Sequence, residues 1–338
     1  MSEVSNDRSP TAAVPRPRRG PALRRLRSVA IAPESAVFVV LLLLSIGMAI
    51  GSSNFATEFN LQNVGRQTSA LAVLCAGVLF VLLVGGIDLS IAGVIGLTAV
   101  VAARLAQSMP PAEAFLLAAL VATGIGLLNG FLIALGGLSP IVVTLAMGQA
   151  LLGVALLLSP NGPIQVSDPA YGELAAAKIG PVPTLVVAAL VCLVLAHLLL
   201  RRFSLGRYIY SVGGNEKAAW LAGVPTRAVK LTAYAIGGMF AGIAGILLSS
   251  RTGSGEATQG TTIMLEAYAA VFIGGVGFGT GRGTVVGVAL GALVLGVIGN
   301  GIDLLGIDGN WQYIVSGGLI IFAISLARVA ETFKRRHA

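Results

Sequence analysis

The 338-residue chain is 56% apolar and only 11% charged, with a mean hydropathy of +0.90. Soluble domains carry about a quarter charged residues, so the composition argues against a soluble enzyme and for a chain that uses a bilayer as solvent. The net charge of +8 sits between apolar runs without aromatic interleaving, which fits a membrane protein and not a nucleic-acid site.

Residues 1–33 hold seven arginines, several prolines and almost no apolar run, and read as a disordered basic cytoplasmic tail. The apolar run at 35–50 lacks a small-x-small cleavage site after it and reads as an uncleaved first span. A span needs about 20 apolar residues, and ten are expected: 34–52, 66–85, 88–107, 113–135, 140–159, 182–201, 229–250, 262–278, 283–302 and 311–329. Several contain Gly-Gly and are expected to be broken. The transmembrane domain is thus expected at 34–330, with a short tail at 331–338. With the N-terminus placed in the cytoplasm, 18 of the 22 Lys and Arg fall on the cytoplasmic side, leaving Arg66, Arg104, Lys178 and Arg251 outside. That asymmetry predicts an even number of spans and both termini in the cytoplasm.

GGIDLS (85–90) places Gly85, Gly86, Asp88 and Ser90 between two apolar runs. Either Asp88 or Ser90 is expected to accept hydrogen bonds from the first amides of the next helix; contact with a translocation path is the alternative. Gly126 with Gly130, Gly238 with Gly242, and Gly283, Gly287 and Gly291 form small-xxx-small stripes for close helix packing. The segment 160–181 is the long external loop, and 201–228 the long internal one. Within the latter, GGNEKAAWLAG (213–223) predicts a turn at Gly213 and Gly214, an N-cap at Asn215 and a short amphipathic helix ended at Gly223. Glu266 stands in an apolar run near its outer end, and Gly274 and Gly275 repeat the helix-break pattern. The stretches 80–99 and 270–292 echo each other weakly, as repeated transporter halves do. Cys75 and Cys192 read as packing residues, and there is no disulfide framework. No GxxxxGK[ST] phosphate loop, Ser-His-Asp set or metal cluster occurs, so no catalytic residue, metal or cofactor is expected and the chain should not hydrolyse ATP.

LGRYIYSVGGNEKAAWLAGV (205–224) resembles the cytoplasmic coupling segment of the ribose/xylose/arabinose/galactoside branch of ABC importer permeases. VLLVGGIDLSIAG (81–93) resembles that family's first Gly-Gly motif, and LEAYAAVFIGGVGFGTGRGTVVGVALGALVLGVIGNGIDLLGI (265–307) its C-terminal half. The resemblance covers roughly 60–328. It departs at GFGTGRG (277–283), where the family carries a serine-bearing SLSGGRG-like stretch, and at Met264, where it has one of two acidic residues. It implies an all-α, ten-span permease of the bacterial inner membrane, paired with a second permease copy as homodimer or close heterodimer. Two ATP-binding cassette subunits, which hold ATP and Mg, and an extracytoplasmic solute-binding protein complete the importer. The coupling role falls on Gly213, Gly214, Asn215, Glu216, Ala218, Ala219 and Gly223. The solute expected is a monosaccharide such as ribose. A branched-chain amino-acid permease is the nearest alternative, and an ion-coupled secondary transporter the rival from another class.

Overall fold

The computed structural model describes residues 33–277, 279–318, 321 and 325. The two expected tails, apart from Pro33, lie outside the described residues, as does most of 319–329 in the expected tenth span. Helices run as α1 (Pro33–Gly51), α2 (Glu58–Leu83), α3 (Ile91–Leu105), α4 (Pro111–Ala134) and α5 (Pro140–Leu158). A small segment follows with β1 (Ile164–Gln165), α6 (Pro169–Ala176), β2 (Lys178–Ile179) and β3 (Val182–Pro183). Next come α7 (Thr184–Arg201), α8 (Ser204–Gly214), α9 (Glu216–Leu221), α10 (Thr226–Thr252), β4 (Ser254–Gly255), α11 (Gly260–Ile273) and α12 (Val285–Leu304).

Seven described helices are long and apolar enough to cross a membrane: α1, α2, α4, α5, α7, α10 and α12. The expected spans 88–107 and 262–278 are corrected to the shorter α3 and α11: the chain stays unwound until Ile91 before α3, and α11 ends early, at Ile273, where Gly274 and Gly275 break it. The expected 66–85 lengthens at its start to Glu58, where Thr57 caps the helix by accepting from the Asn60 amide (3.3 Å). Proline supplies the first turn of α1, α4 and α5, where its missing N–H is no loss. Another helix described at 311–318 begins the expected last span.

Contacts between helix ends show that the apolar helices alternate in direction. At one end β1 pairs antiparallel with β4, Ile164 opposite Gly255, which joins the 160–181 segment to the C-terminus of α10. At the other end Gly213 of α8 meets the Leu83 carbonyl of α2, Tyr210 bonds the Gly283 carbonyl, and Thr284 donates to Glu34 of α1 (2.8 Å). Lys217 and Arg227 line the same groove as the α4–α5 turn at that end.

In the core α2 is surrounded: 89% of its most apolar window is buried, against 6% for α1 and 17% for α5. Exposed side chains such as Phe38, Leu120, Val142 and Leu190 make an apolar exterior of the kind only lipid accepts. With no hydrophobic drive between helices in lipid, small residues set the packing. The Gly126–Gly130 and Gly238–Gly242 stripes meet each other across α4 and α10, and Gly287 and Gly291 lie on Gly274 and Ala270 across α12 and α11. A Cβ on Gly126 would collide with the Tyr234 carbonyl and the Cα of Gly238, whereas one on Gly124, two residues away, would meet nothing. Gly126→Val is therefore expected to lower stability by about 1–3 kcal/mol through overpacking. Gly124→Val should be close to neutral, and paired thermal unfolding of the two variants in detergent checks the difference.

Candidate functional site

Two irregular places bear on the site, and they adjoin at Leu83. The first is the unwound chain at 84–90. The C-terminus of α2 closes with a Schellman pattern, the Gly86 amide on the Val81 carbonyl and the Gly85 amide on Leu82 (both 3.0 Å), with Gly85 at φ +77°. The chain then crosses the protein interior, with Asp88 2% exposed and Ser90 fully buried. Buried backbone groups must be paired, and here side chains from three other helices, with Asp88 itself, supply the partners. The Tyr268 hydroxyl (α11) accepts from the Asp88 amide (3.1 Å) and donates to the Asp88 carbonyl (2.9 Å). Tyr234 (α10) donates to the Ile87 carbonyl, and Thr144 (α5) accepts from the Leu89 amide. Asp88 accepts from both the amide (2.9 Å) and the hydroxyl (2.5 Å) of Ser90, whose oxygen accepts in turn from Asn129 of α4 (2.8 Å).

The expected cap on the first amides of α3 is not formed. Asp88 serves the Ser90 amide, while Ser90 makes no side-chain bond to the helix it precedes. The residues that clasp this loop were not singled out in the sequence. Their signal is a hydrogen-bonding head inside an apolar helix, as at Asn129 between Leu128 and Gly130.

The second Gly-Gly echoes the first one residue out of register. The Val276 amide bonds Val271 (3.2 Å) and the Gly275 amide bonds Phe272 (3.0 Å), with Gly275 at φ +84°. Gly275 is therefore the counterpart of Gly85, while Gly274 is a close-packing position against Gly287. Glu266, half-buried, accepts from Gln312 (2.9 Å), so its head is bonded within the protein.

The second place is the segment 204–223. It forms two helices instead of the single short one expected. Gly213 and Gly214 sit in the last turn of α8 and make no left-handed turn. Asn215 breaks the chain at φ −162°, ψ 101° and caps α9 by accepting from the Ala218 amide (3.0 Å). The exit at Gly223 is left-handed as expected, φ +83°. Glu216 pairs with Lys230 (2.6 Å), Ala219 is buried, Ala218 is exposed, and Trp220 and Leu221 project at 64% and 71% exposure. Gly213 is required by proximity: a Cβ there would strike the Leu83 carbonyl and Gly281. Gly214 has open space around it. Tyr210 adds a bond to the Gly283 carbonyl (2.9 Å). One turn of α8 thus rests on the last residue before the 84–90 loop and on the loop after the second Gly-Gly.

Residues 60–324 match the family described as the permease component of branched-chain amino acid transport systems. The chain is 33% identical to the ribose import permease protein RbsC of Bacillus subtilis (strain 168), over 90% of this chain and 96% of that protein. It is 31% identical to the D-allose transport system permease protein AlsC of Escherichia coli (strain K12), over 86% and 90%. With the galactose/methyl galactoside import permease protein MglC of Salmonella typhimurium it shares 32% identity over 87% and 93%. The chain belongs to this family of ABC importer permeases. It is a multi-pass protein of the inner membrane. No solved structure matches it.

In this permease, Tyr268→Phe removes the one group that pairs both the amide and the carbonyl of Asp88. Leaving a buried polar group unpaired costs about 1–3 kcal/mol, so a lower unfolding temperature in detergent is expected. Faster hydrogen exchange of the Asp88 amide localises the effect, and unchanged exchange would show that the clasp is not what holds the loop.

Proposed function

We propose that this permease forms the translocation pathway for a monosaccharide and is driven by ATP hydrolysed on separate cassette subunits bound at its 204–223 end. The observation that carries the reading is the exposed apolar pair Trp220 and Leu221 on a helix fixed to the bundle. They stand beside a groove of about 640 Å3 that Trp220 lines with Leu138, Pro140, Lys217 and Arg227. Exposed aromatic and aliphatic anchors next to a groove are what a docking partner uses. Ala219 faces inward and holds α9 to its support, so the surface offered is Trp220, Leu221 and Lys217.

Arg201, Arg202, Arg207, Lys217, Arg227, Lys230 and Arg282 lie in the segments at this end, while Arg66, Arg104, Lys178 and Arg251 lie in those toward the other. The positive-inside rule makes the 204–223 end cytoplasmic. With ten spans, both termini would lie there too, and the 160–181 segment would face an extracytoplasmic solute-binding protein. Pairing with a second copy would place two such coupling surfaces over two cassettes, with ATP and Mg on the cassettes. The ribose, allose and galactoside permeases among the relatives support a sugar over an amino acid.

A double substitution, Trp220→Glu with Leu221→Glu, removes the exposed anchors without entering the core. Loss of a well-packed aromatic anchor costs about 2 kcal/mol or more, so cassette recovery on co-purification should fall roughly 30-fold. ATP-driven uptake of D-ribose, D-allose or D-galactose in vesicles should fall with it. Normal cassette binding by the variant would place the coupling surface elsewhere. The purified permease, free of cassettes, should turn over no ATP, and turnover by it would overturn the division of labour.

A further inference from the structure

Within α5 two side chains carry hydrogen-bonding heads, Thr144 and Gln149. Thr144 is paired on both sides, donating to Pro140 and accepting from Leu89. Gln149 is exposed midway along a helix of membrane length, and no hydrogen bond to its side chain is present among the described residues. A primary amide is strongly disfavoured in hydrocarbon without a partner. This position therefore calls for water, a polar solute or a polar partner.

The surroundings favour a solute. Gln149 lines a cavity of about 190 Å3 where α3, α5 and α11 meet, together with Ala92, Gly93, Gly148, Thr261 and Met264. Small residues leave the space open, and Gly93 and Gly148 lie so close that a Cβ on Gly93 would enter the Gly148 carbonyl. Thr261 donates its hydroxyl hydrogen to the Thr258 carbonyl (2.8 Å), so its oxygen remains an acceptor. The Gln149 amide offers donors and an acceptor. No charged side chain lines the cavity. Donors and acceptors without charge suit a neutral polyhydroxylated solute, and the volume lies below the roughly 300 Å3 at which drug-sized pockets begin. Leu89 also lines the cavity, so it abuts the clasped 84–90 loop.

We infer that Gln149 and Thr261 form a transit site for a monosaccharide within the translocation pathway, with the Gln149 amide exchanging hydrogen bonds with sugar hydroxyls. The inference rests on the importer reading for delivery of the solute. Its test uses the complete importer in membrane vesicles, with Cys75→Ala and Cys192→Ala as the cysteine-free parent. Gln149→Cys is compared with Leu190→Cys on α7, a 53% exposed residue on an apolar helix surface. A charged, membrane-impermeant thiosulfonate reagent should label position 149 at least tenfold faster than 190. D-ribose, D-allose or D-galactose, whichever the parent transports, should slow that labelling during turnover. Gln149→Leu should reduce uptake at least tenfold, with partial recovery in Gln149→Asn. Labelling at 149 no faster than at 190 overturns the inference, as does labelling that a transported sugar leaves unchanged. A parent that carries none of these three sugars and no other aldopentose or aldohexose overturns the sugar assignment of the whole importer. The labelling rate, read without any sugar, still decides whether Gln149 faces an aqueous path.

Discussion

Everything distinctive in this permease follows from one requirement: a backbone that leaves the helix inside a bilayer must be paired by the protein itself. At 84–90 five groups are paired by side chains: the Ile87 carbonyl, the Asp88 amide and carbonyl, and the Leu89 and Ser90 amides. Left unpaired, each would cost about 1–3 kcal/mol. Together that is on the order of 10 kcal/mol, comparable with the whole stability of a typical domain. The loop therefore exists only because Tyr234, Tyr268, Thr144 and Asn129 converge on it from α10, α11, α5 and α4. The break is a junction of the bundle, and a change in any of those four helices is felt at the loop.

The same helices can converge because they are closely packed. In lipid, apolar area supplies no preference for one helix neighbour over another, so shape decides. Glycine stripes on α4 and α10 let their backbones touch, which sets Tyr234 over Ile87 and Asn129 over Ser90. Gly274 and Gly287 do the same for α11 and α12, and α11 carries Tyr268. Packing and polar satisfaction are one problem here: without the glycine contacts the hydrogen-bonding heads would not reach the loop.

Much of this was legible in the sequence, and the misses have physical reasons. Composition and the spacing of apolar runs located the helices, because a span's length is set by the bilayer. The stripes were read as helix-packing positions, and they lie at such contacts except for Gly283, which stands in the loop before α12. Asn215 was legible as a cap because capping is local, decided within three residues. Gly213 and Gly214 were read as a turn because Gly-Gly usually marks one. The role of Gly213 depends on Leu83, 130 positions earlier in the chain, and no local pattern reports that. The clasping tyrosines were missed for the same reason: a Tyr in an apolar run signals nothing until its partner is known. The internal echo was visible, and the hydrogen bonds align Gly85 with Gly275, the register in which the stretches beginning at 80 and 270 run together.

The two irregular places are best understood through Leu83. Its carbonyl bears on Gly213 of α8, and its own position determines where Val84, Gly85 and the clasped loop begin. On the other side Gly213 meets Gly281, in the stretch that follows the second Schellman cap. Interiors packed this closely are stiff and pass on displacement instead of absorbing it. In the proposed importer, a cassette that pulls or turns α9 moves α8 through the single break at Asn215. Because Gly213 has no slack against Leu83 or Gly281, α8 cannot shift without shifting the two helix ends it touches. Those ends lead to the loop that lines the cavity at Gln149 through Leu89. A β-carbon at Gly213 would therefore disturb the fold and the coupling at once, while a β-carbon at Gly214 would meet no atom and leave both intact. Of two adjacent glycines with the same local sequence signal, contact assigns the mechanical role to only one.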